Sequence, residues 1–358
     1  MSRPPKIRGT KSTGGAVRTT RTAPPLFDLT VPNLEAELIR LLAQIPAGRV
    51  TTYGDLADAL GLRTAARWVG EFLRDHQHSV RCPCHRVVRK GGELGLYLRD
   101  RKPAEKADKL RREGIEIENG VVEQFDAIVF RGFESERPLA GLIQLQHEIA
   151  GRVSLETYDD TPAVVAGLDV SYARDGAAVG ACALIETDSG SLVWSATRRR
   201  EAPLPYIPSL LTFRELPVLL ALFNQARQRF AELSLFLVDG NGILHPRGAG
   251  VAACFGVVAD VRTIGMAKSL LCGRLEEQLR PIDGCCPISV EGKTVGAVFK
   301  RQPNAHRLYI SPGQRIDIAG AIRMIRLLDF GHRLPEPLYW ADRLSRAEAR
   351  RVSADSHL

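Results

Sequence analysis

The chain has 358 residues, 44% of them apolar and 25% charged, with a formal net charge of +8. That length is ample for two packed domains. No apolar run approaches the 18 residues a membrane-crossing helix needs, and seven cysteines with no apolar leader argue against a secreted disulfide framework. A cytoplasmic protein with free thiols and no membrane partner is expected.

Most of the charge excess sits in residues 1–25, where Arg3, Lys6, Arg8, Lys11, Arg18 and Arg21 meet no acid. That tail has almost no large apolar side chain and is expected to be disordered. From Asn33, Leu34, Leu38, Leu41, Leu42 and Ile45 repeat at helical spacing behind a plausible N-cap. Thr52 and Asp55 have capping-box spacing ahead of a short helix, and a turn at 61–64 leads into another over 65–75, a helix-turn-helix pattern. A helix over 103–114 and a hairpin at 115–125 end this part.

After a helix near 139–153 the pattern changes. Apolar β runs at 164–170, 177–186 and 192–197 form a meander, followed by a long helix over 208–230, a buried strand at 233–238 and a helix at 251–258. Strands near Thr263, Ile288 and 294–299 and a final helix over 315–328 complete an α/β layout with a mixed sheet.

Two groups of residues carry chemistry. The first is RCPCHRVV at 81–88. A thiol becomes a good nucleophile when a neighbouring imidazole accepts its proton, as His85 could for Cys84. His76, His78, Cys82, Cys84 and His85 could equally furnish a zinc site. On spacing alone the structural, nucleophilic and zinc-binding readings all stay open. The second group is Asp169 inside VVAGLDVSYA and Asp239 at the end of LFLVDGNG. Carboxylates placed in apolar strands call for a cation partner, and two at corresponding places suggest a shared Mg²⁺ or Mn²⁺, although from the residues alone each can equally be read as a solvated strand-end or turn acid.

Residues 26–119 resemble the O6-alkylguanine-DNA alkyltransferases through PCHRVV, GRVTTYGDLA, TAARWVG and the EG ending the last helix. The resemblance implies a helix-turn-helix domain in which Cys84 takes an alkyl group from a flipped guanine, His85 and Glu113 complete a relay, Tyr53 helps rotate the nucleotide and Arg67 fills the vacated stack. Two departures stand out. His76 replaces the family's asparagine, and the YSGG pocket loop reads Tyr97, Leu98, Arg99, Asp100.

Residues 135–345 resemble endonuclease V, an RNase H-like nuclease, through GLDVSY, PYIPSLLTFRE, VDGNGILHPRGAGVA, TIGMAKSLLCG, SPGQRID and RLPEPLYWAD. The resemblance implies that Asp169 and Asp239 hold the metal, with Glu215 and Asp317 as further acids. Lys268 would contact phosphate or the attacking water, His245 would assist nearby, and Tyr206 would wedge into the base stack. Gln314 stands where the family has a histidine; if that histidine ligates metal or moves protons, the enzyme would be slower or prefer another ion, with activity retained because the carboxylates remain.

The expected architecture is therefore a basic tail (1–25), a small helical winged-helix-like domain (26–119), a junction (120–134), an RNase H-like mixed-sheet nuclease (135–345) and a C-terminal tail (346–358). The expected function is metal-dependent cleavage 3′ to deoxyinosine, with damaged DNA, and RNA left open, as the partner of a monomer. The N-terminal domain would dealkylate O6-alkylguanine through Cys84 or serve as a non-catalytic lesion-binding module.

Overall fold

The computed structural model describes residues 30–77, 82–95, 97, 103–302 and 306–355. The expected tail over 1–25, His78 and the loop residues Leu98, Arg99 and Asp100 lie outside them.

Helix α1 (Leu34–Ala43) starts after Asn33, whose side-chain oxygen accepts the Ala36 N–H at 3.0 Å. Strand β1 (Thr51–Thr52) runs into α2 (Tyr53–Ala59), opened by the reciprocal Thr52 and Asp55 capping box. Helix α3 (Ala66–Asp75) follows a tight turn. Strand β2 (Val87–Val88) pairs in parallel with β1, which fixes the thiol-bearing segment beside the start of α2. Helix α4 (Pro103–Arg112), the hairpin of β3 (Ile117–Glu118) and β4 (Val121–Val122), and the single turn α5 (Phe125–Ile128) complete this part.

Helix α6 (Pro138–Ala150) leads into the antiparallel meander of β5 (Val164–Tyr172), β6 (Ala178–Glu186) and β7 (Leu192–Arg200). Then come α7 (Leu211–Arg229), β8 (Leu235–Asp239), α8 (Val251–Ala259), β9 (Arg262–Ala267) and β10 (Arg274–Leu275). The chain ends with β11 (Cys286–Val290), β12 (Lys293–Phe299), β13 (Leu308–Gln314), α9 (Ile318–Leu327) and α10 (Glu336–Asp355). Among the described residues the large sheet has the order β10-β11-β12-β13-β9-β8-β5-β6-β7, with β5, β8 and β9 parallel to one another. This is the expected mixed sheet of an α/β fold.

The alternation of side chains along β5 and β8 decides which way the acids point. Ala166, Leu168, Phe236 and Val238 pack with Leu216 and Leu219 of α7 and with Phe255 of α8. Val165, Leu235 and Leu237 pack on the opposite face, with Ile322 and Ile325 of α9 and Leu338 of α10. Asp169 and Asp239 continue this second set, so both carboxylates emerge on the α10 side. Gly167 lets α10 begin directly on β5. A Cβ there would stand 2.1 Å from the Pro337 carbonyl oxygen.

Helix α10 corrects the expectation that the last helix ends near Leu328. Residues 346–355, expected as a terminal tail, continue it to Asp355. Its buried side is drawn from small and polar residues as much as large apolar ones, with Leu338, Ala341, Ser345 and Ala349 all covered. The two halves also share a core. Leu38, Leu41, Trp68 and Val87 belong to one apolar cluster with Leu139 and Leu142 of α6 and with Leu204, Ile207 and Leu210 ahead of α7.

Candidate active sites

Leu168 lies opposite Val238 in the β5–β8 ladder, so Asp169 and Asp239 occupy the next rung of neighbouring strands. From above, α10 adds Asp342, and the three residues offer carboxylate oxygens that all lie within 4.8 Å of one another. Ser345, one helical turn on, donates its hydroxyl to Asp169. The Lys268 ammonium, just past the end of β9, donates to Asp239 at 2.5 Å and to Asp342 at 3.1 Å. Arg346 pairs with Asp342 at 2.9 Å. Burial, then the charge of Asp239, pushes the Asp169 carboxyl up to about 7, with Ser345 pulling the other way. Burial works against the charge on Lys268, but Asp239 and Asp342 outweigh it and hold the ammonium above its ordinary range.

The rise at Asp169 marks a carboxyl short of positive charge. The donor set is all oxygen, which suits a hard divalent cation such as Mg²⁺ or Mn²⁺. Asp342 escaped the sequence reading although it lies in the quoted RLPEPLYWAD segment. An acid on a helix rich in arginine looks like any solvated surface charge, whereas an acid inside an apolar strand does not.

The other expected site residues divide. Glu215, near the start of α7, is buried, and its carboxylate accepts the Tyr172 hydroxyl at 3.0 Å. Burial pushes it up to about 8; the Tyr172 hydrogen bond opposes this, while the charges of Asp169 and Asp239 add to it. Glu215 therefore shares the field of the aspartate centre without being one of the three converging acids. His245 turns its Nε2 to the Ser209 carbonyl at 3.2 Å and accepts the Arg247 N–H on Nδ1 at 3.2 Å. Burial, with Arg247 nearby, lowers it to about 4, so the ring is neutral. Arg247 also donates to Ser209, and the two side chains pin the PYIPS loop, on which Tyr206 stands 58% exposed.

Asp317 and Gln314 do not belong to the centre. Gln314 pairs with Thr263, which in turn pairs with Phe236, three residues before Asp239 and so roughly 10 Å back along the strand. Its side-chain oxygen accepts the Ser154 N–H at 2.8 Å, tying the segment before β5 to the sheet. Asp317 lies farther on in the same direction and caps α9 by accepting the Gly320 N–H at 2.9 Å. The expectations of a catalytic acid at Asp317 and of an altered active centre at Gln314 are both corrected, because β13 runs antiparallel to β9 and carries them to the opposite end of the sheet.

In the N-terminal part, Tyr53, Arg67 and Cys84 line one cleft of about 490 Å³ together with Gly70, Arg89 and Tyr97. Cys84 is buried at its floor and Arg67 is exposed at its rim, bonded to Glu71 at 3.0 Å. His85 Nε2 meets Glu113 at 2.7 Å, and Arg86 grips the same carboxylate. Burial works against the Glu113 charge, but Arg86 and His85 keep the carboxylate below its usual range. Among the described residues, His85 Nδ1 is buried without a hydrogen-bond partner. The close neighbour of Cys84 is Cys82, whose Sγ lies 3.3 Å from His76 Nε2. The interaction with Cys82, then burial, pushes the Cys84 thiol up, while the interaction with Cys84, with His76 assisting, pulls Cys82 down.

Residues 147–343 match the family model for endonuclease V, and residues 33–115 match that for the DNA-binding domain of 6-O-methylguanine DNA methyltransferase. A protein of Thermoplasma volcanium described as a bifunctional methyltransferase/endonuclease is 36% identical over 82% of this chain and 84% of its own. The catalytic domain of human endonuclease V has a similar structure, with a TM-score of 0.55 and 28% identity over 61% of this chain and 98% of that one. Endonuclease V of Ciona intestinalis, solved with a 23mer DNA containing an inosine, shares the fold with a TM-score of 0.54 and 24% identity, over 61% of this chain and all of that one.

Proposed function

Because the chain belongs to the family of bifunctional methyltransferase/endonucleases, an endonuclease V nuclease joined to an alkyltransferase-type DNA-binding domain, we propose that it nicks damaged DNA 3′ to deoxyinosine at the Asp169, Asp239 and Asp342 centre. The convergence of these three acids with Lys268 carries the reading. Asp169, Asp239 and Asp342 would hold Mg²⁺ or Mn²⁺, which when bound supplies positive charge to the scissile phosphate and favours deprotonation of water. Ser345 orients Asp169. Lys268 keeps Asp239 and Asp342 in place and stands ready to pair with phosphate. Glu215, held by Tyr172, adds a proton-accepting group close by. Tyr206, on the loop pinned by His245 and Arg247, has the exposure needed to enter the base stack as the inosine leaves.

The test is strand nicking of an inosine-containing duplex and of the corresponding RNA, with and without Mg²⁺. Wild type should cut only with metal, and Asp169→Ala should lose at least about three orders of magnitude in rate. Equal cutting by both would reject the proposal.

For the N-terminal part, alkyl transfer to Cys84 is supported by its place at the floor of the Tyr53 and Arg67 cleft. A second reading, a lesion-binding module without transfer, is favoured by the burial of Cys84 against Cys82, which pushes its thiol up and disfavours the thiolate. Labelled O6-methylguanine DNA separates the two. Label on Cys84, absent in Cys84→Ala, supports transfer; binding without label supports the module.

A further inference from the structure

We propose that His76, Cys82 and Cys84 form a second metal site, for a thiophilic divalent cation of the Zn²⁺ type, distinct from the oxygen-only aspartate centre. Their ligand atoms all lie within 4.8 Å of one another. In a tetrahedral zinc site, Zn–S distances near 2.3 Å and Zn–N distances near 2.0 Å separate the ligand atoms by roughly 3.5–3.8 Å. The 3.3 Å between His76 Nε2 and Cys82 Sγ is already close to that span.

The imidazole is oriented as a ligand. His76 Nδ1 lies 2.9 Å from the Leu73 carbonyl oxygen, which can only accept, so Nδ1 carries the proton. In the neutral ring Nε2 is then the lone-pair nitrogen, and it faces the sulfur. Zinc-binding histidines are fixed in this way by donating their other N–H to a backbone carbonyl. The Phe72 ring stacks on His76 with centroids 5.6 Å apart and further limits its rotation. Helix α3 ends here, and the 3₁₀ turn at Pro83–Arg86 presents both sulfurs on the same side.

Access comes from a different direction than in the alkyl-acceptor cleft. His76 and Cys82 line a second cleft of about 1150 Å³, whose far wall is Arg174, Asp175 and Gly176 of the β5–β6 turn. Cys84 reaches the same point from its own buried position. Both sulfurs would bind as thiolates, with their protons released to solvent. The larger cleft, lined by His76 and Cys82, is where a fourth ligand would enter. His85 is not one of the residues whose ligand atoms converge here. Cys84 cannot serve a metal and an incoming electrophile at once, so a bound ion protects it. The site is expected whether or not Cys84 accepts an alkyl group.

The experiment uses the full chain stripped of metal and titrated with Zn²⁺, and with Co²⁺ as a spectroscopic probe. One equivalent of Co²⁺ should give thiolate-to-cobalt charge-transfer absorption and be displaced by Zn²⁺. Cys82→Ser and His76→Ala should abolish stoichiometric binding, while Cys286→Ser should not. A wild-type readout guards against variants that fail to fold. With Zn²⁺ present, Cys82 and Cys84 should be carbamidomethylated by iodoacetamide at least tenfold more slowly, as mapped by mass spectrometry. Absence of the charge-transfer band, or protection confined to other cysteines, would overturn the proposal.

Discussion

At Asp169, the same burial that positions the carboxylate makes its charge costly. Its pKa is raised in the folded chain to about 7 from an ordinary value of 3.8, so between those values the folded state holds a proton that the unfolded state has lost. Stability of the metal-free protein from this group is therefore full below pH 4 and falls as pH rises to about 7, by a few kcal/mol. Glu215, raised to about 8, extends the decline in the same direction. Urea unfolding between pH 5 and 8 should show this slope, Asp169→Asn should flatten it, and Mg²⁺ should restore stability at pH 8. Gln314 makes the opposite kind of case. Since it ties Ser154 to the sheet, Gln314→His should leave nicking rate and metal preference unchanged while costing about 1 kcal/mol for the lost hydrogen bond. A changed metal preference would return that position to the active centre. Asp169 and Asp239 were legible because charges in apolar strands are anomalous. Asp342 and the structural use of Asp317 were not, since the first looks like surface charge and the second depends on which way β13 runs.

Among the elements, α10 decides whether the site exists, because it alone brings Asp342 and Ser345 onto β5. It can do so only where β5 has no side chain beneath Pro337. Gly167→Ala should lift the start of the helix, cost about 1–3 kcal/mol, raise the Mg²⁺ concentration needed for nicking and lower its rate. Thermal unfolding alongside a Mg²⁺ titration of nicking checks this, and an unchanged metal requirement would mean that α10 does not set the geometry. The strands of the meander and the capped helices were readable from spacing: Asn33, Thr52 and Asp55 cap as their residue types suggest. Helix α10 was not, because its buried stripe contains Ser345 and Ala349 in place of large apolar residues.

Over the whole molecule, the two parts are joined by packing as well as by chain. The cluster that includes Leu41 and Trp68 continues through Leu142 to Ile207, next to the tyrosine proposed as the wedge. Calorimetry of the full chain should therefore show one cooperative transition, and Leu142→Ala, at a cost of about 2–5 kcal/mol, should lower it without splitting it. Two separate transitions would mean that the shared core contributes little to coupling.

The convergence of three aspartates on one divalent ion is tested most directly by nicking of an inosine-containing duplex against Mg²⁺ concentration, for the wild type and Asp342→Asn. If Asp342 is a ligand, the variant should need far more Mg²⁺ and should cut at least about tenfold more slowly at saturation. Identical titration curves for the two proteins would contradict a three-aspartate centre.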